Sequence, residues 1–340
     1  MATLRERITA PTHLDLPEAI GGVTFRAGST EDLVAVHGVA IEAAALDDPG
    51  AHPSTADFER TLSTEGLDVA RDTIVAVDAD GHVQAYGIVI GVPSPVTAAR
   101  IVLDGAVRPD HRGAGIGRRV FGWQVERGRQ RLAAVDLDLP ATIEVGARQG
   151  SPALGLAARF GFAPTRHWLD MQVVFDDQHP VAVPAVPEGL VVRPATTDDI
   201  EPLRLAKNDA FRDHWGSQPM VASDWRGFLT AEKCRLDLSR VVLDADGAVL
   251  AFAIVEVDPA AFAARGRSFG YVHWVGVVRS ARGRGLAPVV LDSALQAMRD
   301  DGLSAAALDV DAENPSGAGR IYERLGFVAG SVHVTASTAL

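Results

Sequence analysis

The chain repeats itself, and that repetition limits what it can fold into more than any other feature. Gly22-Val-Thr-Phe-Arg26-Ala-Gly-Ser-Thr30-Glu-Asp32-Leu33 returns as Gly189-Leu-Val-Val-Arg193-Pro-Ala-Thr-Thr197-Asp-Asp199-Ile200. Asp78-Ala-Asp-Gly81 returns as Asp244-Ala-Asp-Gly247, Arg112-Gly-Ala-Gly-Ile-Gly117 as Arg282-Gly-Arg-Gly-Leu-Ala287, and Arg159-Phe-Gly-Phe162 as Arg324-Leu-Gly-Phe327. The offsets are 167, 166, 170 and 165 residues, in one order along the chain. Chance does not align four blocks so closely, so the chain is read as two copies of one unit.

The Pro-rich, aperiodic stretch Asp176–Pro187 reads as the connector. The boundary is placed at 181/182, giving domains 1–181 and 182–340. With 340 residues, 47% of them hydrophobic, each half is long enough to bury a core. Within each half the pattern reads β-α-α-β-β-β-α-β-α-β. The first helix is capped by Ser or Thr, and an Asp-Gly hairpin turn lies between β-rich runs. Helices are expected over 118–132 and 286–301. This is a mixed α/β fold.

The net charge of −12 argues against nucleic acid and against an anionic membrane surface as partners. No apolar run approaches the ~20 residues of a membrane span. The N-terminus holds no apolar signal region, so a cytoplasmic protein, monomer or homodimer, is expected. The one cysteine, Cys234, excludes an intramolecular disulfide and is expected to be structural.

The Arg/Gly blocks follow a strand and open a helix. Glycine lets the backbone turn tightly and approach a ligand closely. The first helical turn presents free N–H groups backed by the positive end of the helix dipole, which suits a pyrophosphate. Arg282 and Arg284 add cations for phosphate oxygens.

These loops, the strands ending at Val107 and Val277, and the closing Tyr322-Glu-Arg-Leu-Gly-Phe327 resemble the GNAT superfamily of acyl-CoA N-acyltransferases, twice over nearly the whole chain. The tandem arrangement is similar in organisation to mycothiol synthase and related actinobacterial tandem acetyltransferases. The resemblance implies two mostly antiparallel twisted sheets flanked by helices, each with a splayed central strand pair. It implies acetyl-CoA as cosubstrate and no metal. Cofactor contacts are then expected from Val275, Gly276, Val277, Arg282, Gly283, Arg284, Gly285, Leu286, Ala287 and Asn314. In the first half they are expected from Val107, Arg112, Gly113, Ala114, Gly115, Ile116 and Gly117.

The halves differ where chemistry is expected. Tyr322, the usual general acid of the GNAT pattern, aligns with Ala157. Tyr271 and His273 align with Ile101 and Leu103. A protonated amine must lose a proton before attack, and His273 directly or Glu256 through water is the candidate base. Asp213, His214, Trp215 and Tyr271 are expected on the acceptor side. Where Tyr271 stands, the mycothiol synthase pattern has a catalytic Glu. The expected activity is acetyl transfer from acetyl-CoA to a primary amine of a small molecule, with the second half catalytic. The alternatives are a non-catalytic acyl-CoA sensor and a GNAT enzyme using another acyl donor.

Overall fold

Each repeat opens on the same ion-paired cap. In the computed structural model, which describes residues 2–91, 95–176, 185–214, 216–313 and 318–340, Asp32 accepts the Ser29 N–H at 2.9 Å and two Arg26 N–H groups at 2.6 and 2.8 Å. Asp199 repeats this with Thr196 at 2.8 Å and Arg193 at 2.7 and 2.8 Å. The guanidinium bonds hold both carboxyls below the usual range. The Asp-Gly turns form as expected. Asp78 accepts from the Asp80 and His82 amides, Asp244 from the Asp246 and Ala248 amides. Gly81 and Gly247 sit at φ 85° and 82°, where a side chain would be strained.

The first repeat runs α1 (Leu4–Arg7), β1 (Thr24–Ala27), α2 (Leu33–Asp47), α3 (Thr55–Leu62), α4 (Val69–Asp72), β2 (Thr73–Val77), β3 (Val83–Gly91), β4 (Ala99–Val107), α5 (Ile116–Ala133), β5 (Ala141–Arg148), α6 (Pro152–Ala158) and β6 (Ala163–Val174). The second runs β7 (Val191–Pro194), α7 (Ile200–Ala210), α8 (Ala222–Leu229), β8 (Arg240–Leu243), β9 (Val249–Glu256), α9 (Phe262–Arg265), β10 (Phe269–Val277), α10 (Leu286–Asp300), β11 (Ala305–Asp311), α11 (Ala318–Arg324) and β12 (Val328–Ala339). The expected element order is present in both, with α1, α4 and α9 as short additions.

The boundary expected at 181/182 lies outside the described residues. The chain forms two compact units, Met1–His167 with His333–Leu340, and Trp168–Val332. Each unit therefore takes its last strand from the other repeat. In the first unit the sheet runs β1-β2-β3-β4-β5, and β5 pairs with residues His333–Ala339 of β12. In the second it runs β7-β8-β9-β10-β11, and β11 pairs with Trp168–Val174 of β6.

Both sheets are antiparallel except for one central pair. β4 runs parallel to β5 only from Ala99 to Leu103, and β10 parallel to β11 only from Phe269 to Tyr271. Beyond those points the strands part, which is the splay that the resemblance implies.

The second core packs both faces of β9, whose residues are all buried, against α7, α8 and α10. Trp225, fully buried, donates its indole N–H to the Ile200 carbonyl at 2.7 Å. Met171 and Val173 of β6, 2% and 4% exposed, belong to this second core. Met171→Ala is therefore expected to cost about 2–5 kcal/mol. The loss should appear in the second unit, although Met171 lies in the first repeat. Urea denaturation of a variant with an unchanged midpoint would contradict the strand exchange.

Candidate active site

The point where β10 leaves β11 organises the second unit. β10 stays paired with β9 throughout, but its register slips by one residue between Val272 and Trp274. His273 is the extra residue, and a bulge of this kind re-aims a side chain and frees its backbone from the ladder. The equivalent β3–β4 pairing of the first unit is unbroken from Ala85 to Gly91.

Around that bulge the structure assembles three of the expected residues. Glu256 is the register partner of Tyr271 and is 7% exposed. Its Oε2 lies 2.8 Å from His273 Nδ1, and Lys233 Nζ lies 3.9 Å from its Oε1. The sequence treats His273 and Glu256 as rival bases, and the structure joins them as one pair. With Nδ1 turned to the carboxylate, Nε2 is left for other partners. His273 is packed by Phe228, Trp274 and Tyr271 at ring distances of 4.8, 4.3 and 5.9 Å. Its side chain keeps 34% of its surface. The aromatic wall lowers the local dielectric and strengthens the His–Glu contact.

Tyr271 donates its phenol to Asp309 Oδ2 at 3.0 Å. Burial and the Asp309 carboxylate push that phenol well above its ordinary range. Asp309 itself is the one exposed residue on β11, flanked on both sides by buried positions. Tyr271 pairs with Ala307 and its equivalent Ile101 with Ile143, so two residues further along the counterpart of Asp309 is Val145, which is buried. The sequence reading passed over Asp309. The strand-pair register that sets Tyr271 against Ile101 also sets Asp309 against Val145.

Tyr322 lies on α11, half-buried, with its ring edge-on to Phe327 at 5.9 Å. Burial pushes its phenol up to about 12. Its counterpart Ala157 is fully buried, and Ile101 and Leu103 belong to the hydrophobic core of the first unit.

Val275, Gly276 and Val277 pair with β9 along one edge and face the splay along the other. Gly276 has no room for a side chain, since a Cβ would stand 2.4 Å from Phe252 Cζ. The loop Arg282–Ala287 leads into α10 with Gly283 and Gly285 at φ 77° and 74°. Nothing lies within 4 Å of where a Cβ would stand on either glycine.

The loop arginine behaves differently from the sequence reading. Arg282 donates to the Ala210 carbonyl at 2.8 Å and lies 3.6 Å from Asp213, tying the loop to the end of α7. The Arg279 amide donates to Asp209 at 2.7 Å in the same place. Arg112 does this more tightly, gripping Asp47 with two bonds of 2.8 Å. In both units this arginine braces the loop, and in the second the loop carries a further exposed cation, Arg284. Asp213 accordingly sits with the loop arginines.

His214 stacks with Trp168 at 6.3 Å and lies tilted against Phe211 at 5.6 Å. Trp168 of β6 is half-buried and belongs to the second unit. Trp215 and Asn314 lie outside the described residues.

Cys234 is partly buried, and burial with the nearby Glu256 pushes its thiol up to about 12, which fits a structural thiol. Among the described residues, Asp78, Asp80 and His82 form a group with metal-ligand spacing. It is the exposed hairpin turn already described, whose Asp78 caps backbone amides. No helix among the described residues is long and apolar enough to cross a membrane.

Comparison with known proteins fits this geometry. Residues 200–327 match the acetyltransferase (GNAT) family model. A mycothiol acetyltransferase of Frankia alni is 31% identical over 329 residues, covering 89% of this chain and 90% of its own. One from Tsukamurella paurometabola is 29% identical, covering 74% and 83%. A crystal structure of a GCN5-related N-acetyltransferase from Sphaerobacter thermophilus superposes with a TM-score of 0.71 at 25% identity, covering 96% of this chain and 97% of its own. A tandem GNAT protein from the clavulanic acid biosynthesis pathway gives a TM-score of 0.67 at 18% identity, covering 93% and 98%.

Proposed function

The chain belongs to the GNAT acetyltransferase family, an acetyl-CoA-dependent acyltransferase, and from that premise we propose that it acetylates a primary amine of a small molecule in its second repeat. The observation that carries this reading is the His273–Glu256 pair at the parting of β10 and β11, set against aliphatic residues in the first repeat.

The residues divide the reaction as follows. Backbone groups of Val275–Val277 along the open edge bond the pantetheine, and the amides of Gly283–Ala287 at the start of α10 hold the pyrophosphate. Arg282 braces that loop, and Arg284 supplies its cation. The ammonium of the acceptor gives a proton to His273 Nε2, and Glu256 stabilises the imidazolium that forms. The free amine attacks the thioester carbonyl, the N–C bond forms, and the tetrahedral intermediate collapses with loss of the C–S bond. Tyr322 donates its proton to the departing thiolate, the nitrogen gives up its second proton to solvent, the Tyr322 phenolate takes one back and His273 releases its own, so one proton is left over for each amine acetylated.

Relatives named mycothiol acetyltransferases support a small-molecule acceptor. Tyr271 stands where that family's pattern has Glu, so the acceptor need not be theirs. Asp309, exposed beside Tyr271, favours an acceptor carrying hydroxyl groups or a second cation. A release assay for free thiol, run with acetyl-CoA against small amines, amino acids, aminoglycosides and peptide N-termini, tests the activity directly. No turnover with any amine, alongside tight acetyl-CoA binding, would favour the sensor instead.

The cofactor seat has its own test. Gly285→Glu places a carboxylate in the open space over the loop and strains a residue at φ 74°. Acetyl-CoA affinity is expected to fall at least about 100-fold, since two or more charge-assisted bonds of roughly 1.5–3 kcal/mol each are lost. Unchanged affinity by calorimetry would remove the loop from the cofactor site.

A further inference from the structure

We propose that the first repeat takes up no acetyl-CoA because the chain's own N-terminal hairpin occupies the seat at its loop, so that the protein binds one cofactor and not two. The inference rests on the reading that these loops seat the pyrophosphate.

The two loops are alike in backbone. Gly115 and Gly285 both stand just before their helices, at φ 88° and 74°. The space in front of them differs. A Cβ on Gly285 would meet nothing within 4 Å, whereas one on Gly115 would stand 3.0 Å from Ile20 Cδ1. Gly285 is exposed and Gly115 is half-buried.

Ile20 is held there by a tight turn. Ile20 and Val23 exchange two backbone bonds of 3.1 Å, and Gly21 and Gly22 between them sit at φ 62° and 79°. Positive φ at both central residues is the requirement of a type I′ hairpin turn, which Gly-Gly meets without strain. Gly21 also lies directly on the loop, since a Cβ there would stand 2.8 Å from Ala114 Cβ and 3.4 Å from Ile116 Cγ1. The segment is anchored upstream by Leu4, fully buried, and by Gln130, which donates to the Pro11 carbonyl at 2.8 Å. Ile20 packs against the first unit's core, and Val23 is part of it.

The effect is to put an apolar side chain where the second loop faces open space. Seating a pyrophosphate would require lifting Ile20 into water and separating Gly21 from Ala114. A charged group pushed against the apolar turn would lose hydration without gaining partners. In the second repeat the offset of 167 puts Pro187-Glu188-Gly189-Leu190 at the positions of Ile20–Val23, with no isoleucine to insert. The first loop also has Ala114 where the second has the exposed Arg284.

The test is the stoichiometry of acetyl-CoA binding by calorimetry on the full chain, with Gly285→Glu, Gly115→Glu and Ile20→Gly as variants. One site is expected in the wild type, none in Gly285→Glu and one in Gly115→Glu. Ile20→Gly is expected to gain a second, weaker site, with a thermal melt confirming that it remains folded. Two sites in the wild type, one lost in each glutamate variant, would overturn the proposal and leave the loop reading intact. Failure of a folded Ile20→Gly to gain a site would also overturn it. If neither glutamate variant alters binding, the loop reading itself falls, and this proposal with it.

Discussion

Tyr322→Phe is expected to lower kcat by about 10²–10⁴-fold, the usual worth of a positioned general acid, with acetyl-CoA affinity unchanged. The substitution removes one oxygen and keeps the ring that packs edge-on against Phe327 at 5.9 Å, so folding should survive. Burial pushes the phenol up to about 12, above its ordinary value. A raised acid is protonated below its own pKa, so Tyr322 keeps its proton at every working pH. The wild-type kcat should therefore show no fall from phenol ionisation on the alkaline side up to about pH 11. The same shift makes transfer to a free thiolate, near 8.5 for a thiol, uphill. The proton must then move as the C–S bond breaks. A folded Tyr322→Phe with normal kcat would remove the role.

The second large effect is expected at the His273–Glu256 pair. Because their contact is 2.8 Å, the two residues should act as one unit and not as alternatives. His273→Ala is expected to lower kcat/KM by about 10²–10³-fold, within the range for a general base. Glu256→Gln keeps the size and an acceptor oxygen but removes the charge that stabilises the imidazolium, and should cost roughly 10–100-fold. The double variant should be no slower than His273→Ala alone, since residues acting as a unit are not additive. Losses that multiply in the double variant would separate the residues and return the base to the alternatives read from the sequence. Calorimetry must show that all three variants bind acetyl-CoA.

Much of the site was legible because the repeat supplies an internal control. A polar residue that stands against an aliphatic one in the matched copy is a candidate for a task that one copy has and the other lacks. Tyr322 against Ala157 and His273 against Leu103 are such places, and so is Asp309 against Val145. The parts not legible are contacts made at long range. The spacing of Arg282 in its loop suggests a phosphate ligand, but where a guanidinium points depends on what α7 brings near, and here that is Ala210 and Asp213. Nor does the sequence show that Trp225 is fully buried with its N–H donated to the Ile200 carbonyl.

The amino-acid sequence alone determined the duplicated unit, the order of its elements, its hairpin turns and the loop that opens each long helix. These follow from period, caps and glycine positions, which act over a few residues. Only the tertiary structure decided that β6 and β12 are exchanged between units, that His273 sits on a bulge bonded to Glu256, and that Ile20 lies against Gly115 of the first loop. A strand's hydrogen-bonding edge accepts any strand of suitable pattern, so pairing among equivalent strands of two similar repeats is settled by packing, with Met171 and Val173 completing the second core. A one-residue slip in β10 and a hairpin laid across a loop likewise leave no periodic trace, because each is fixed by the surface it meets.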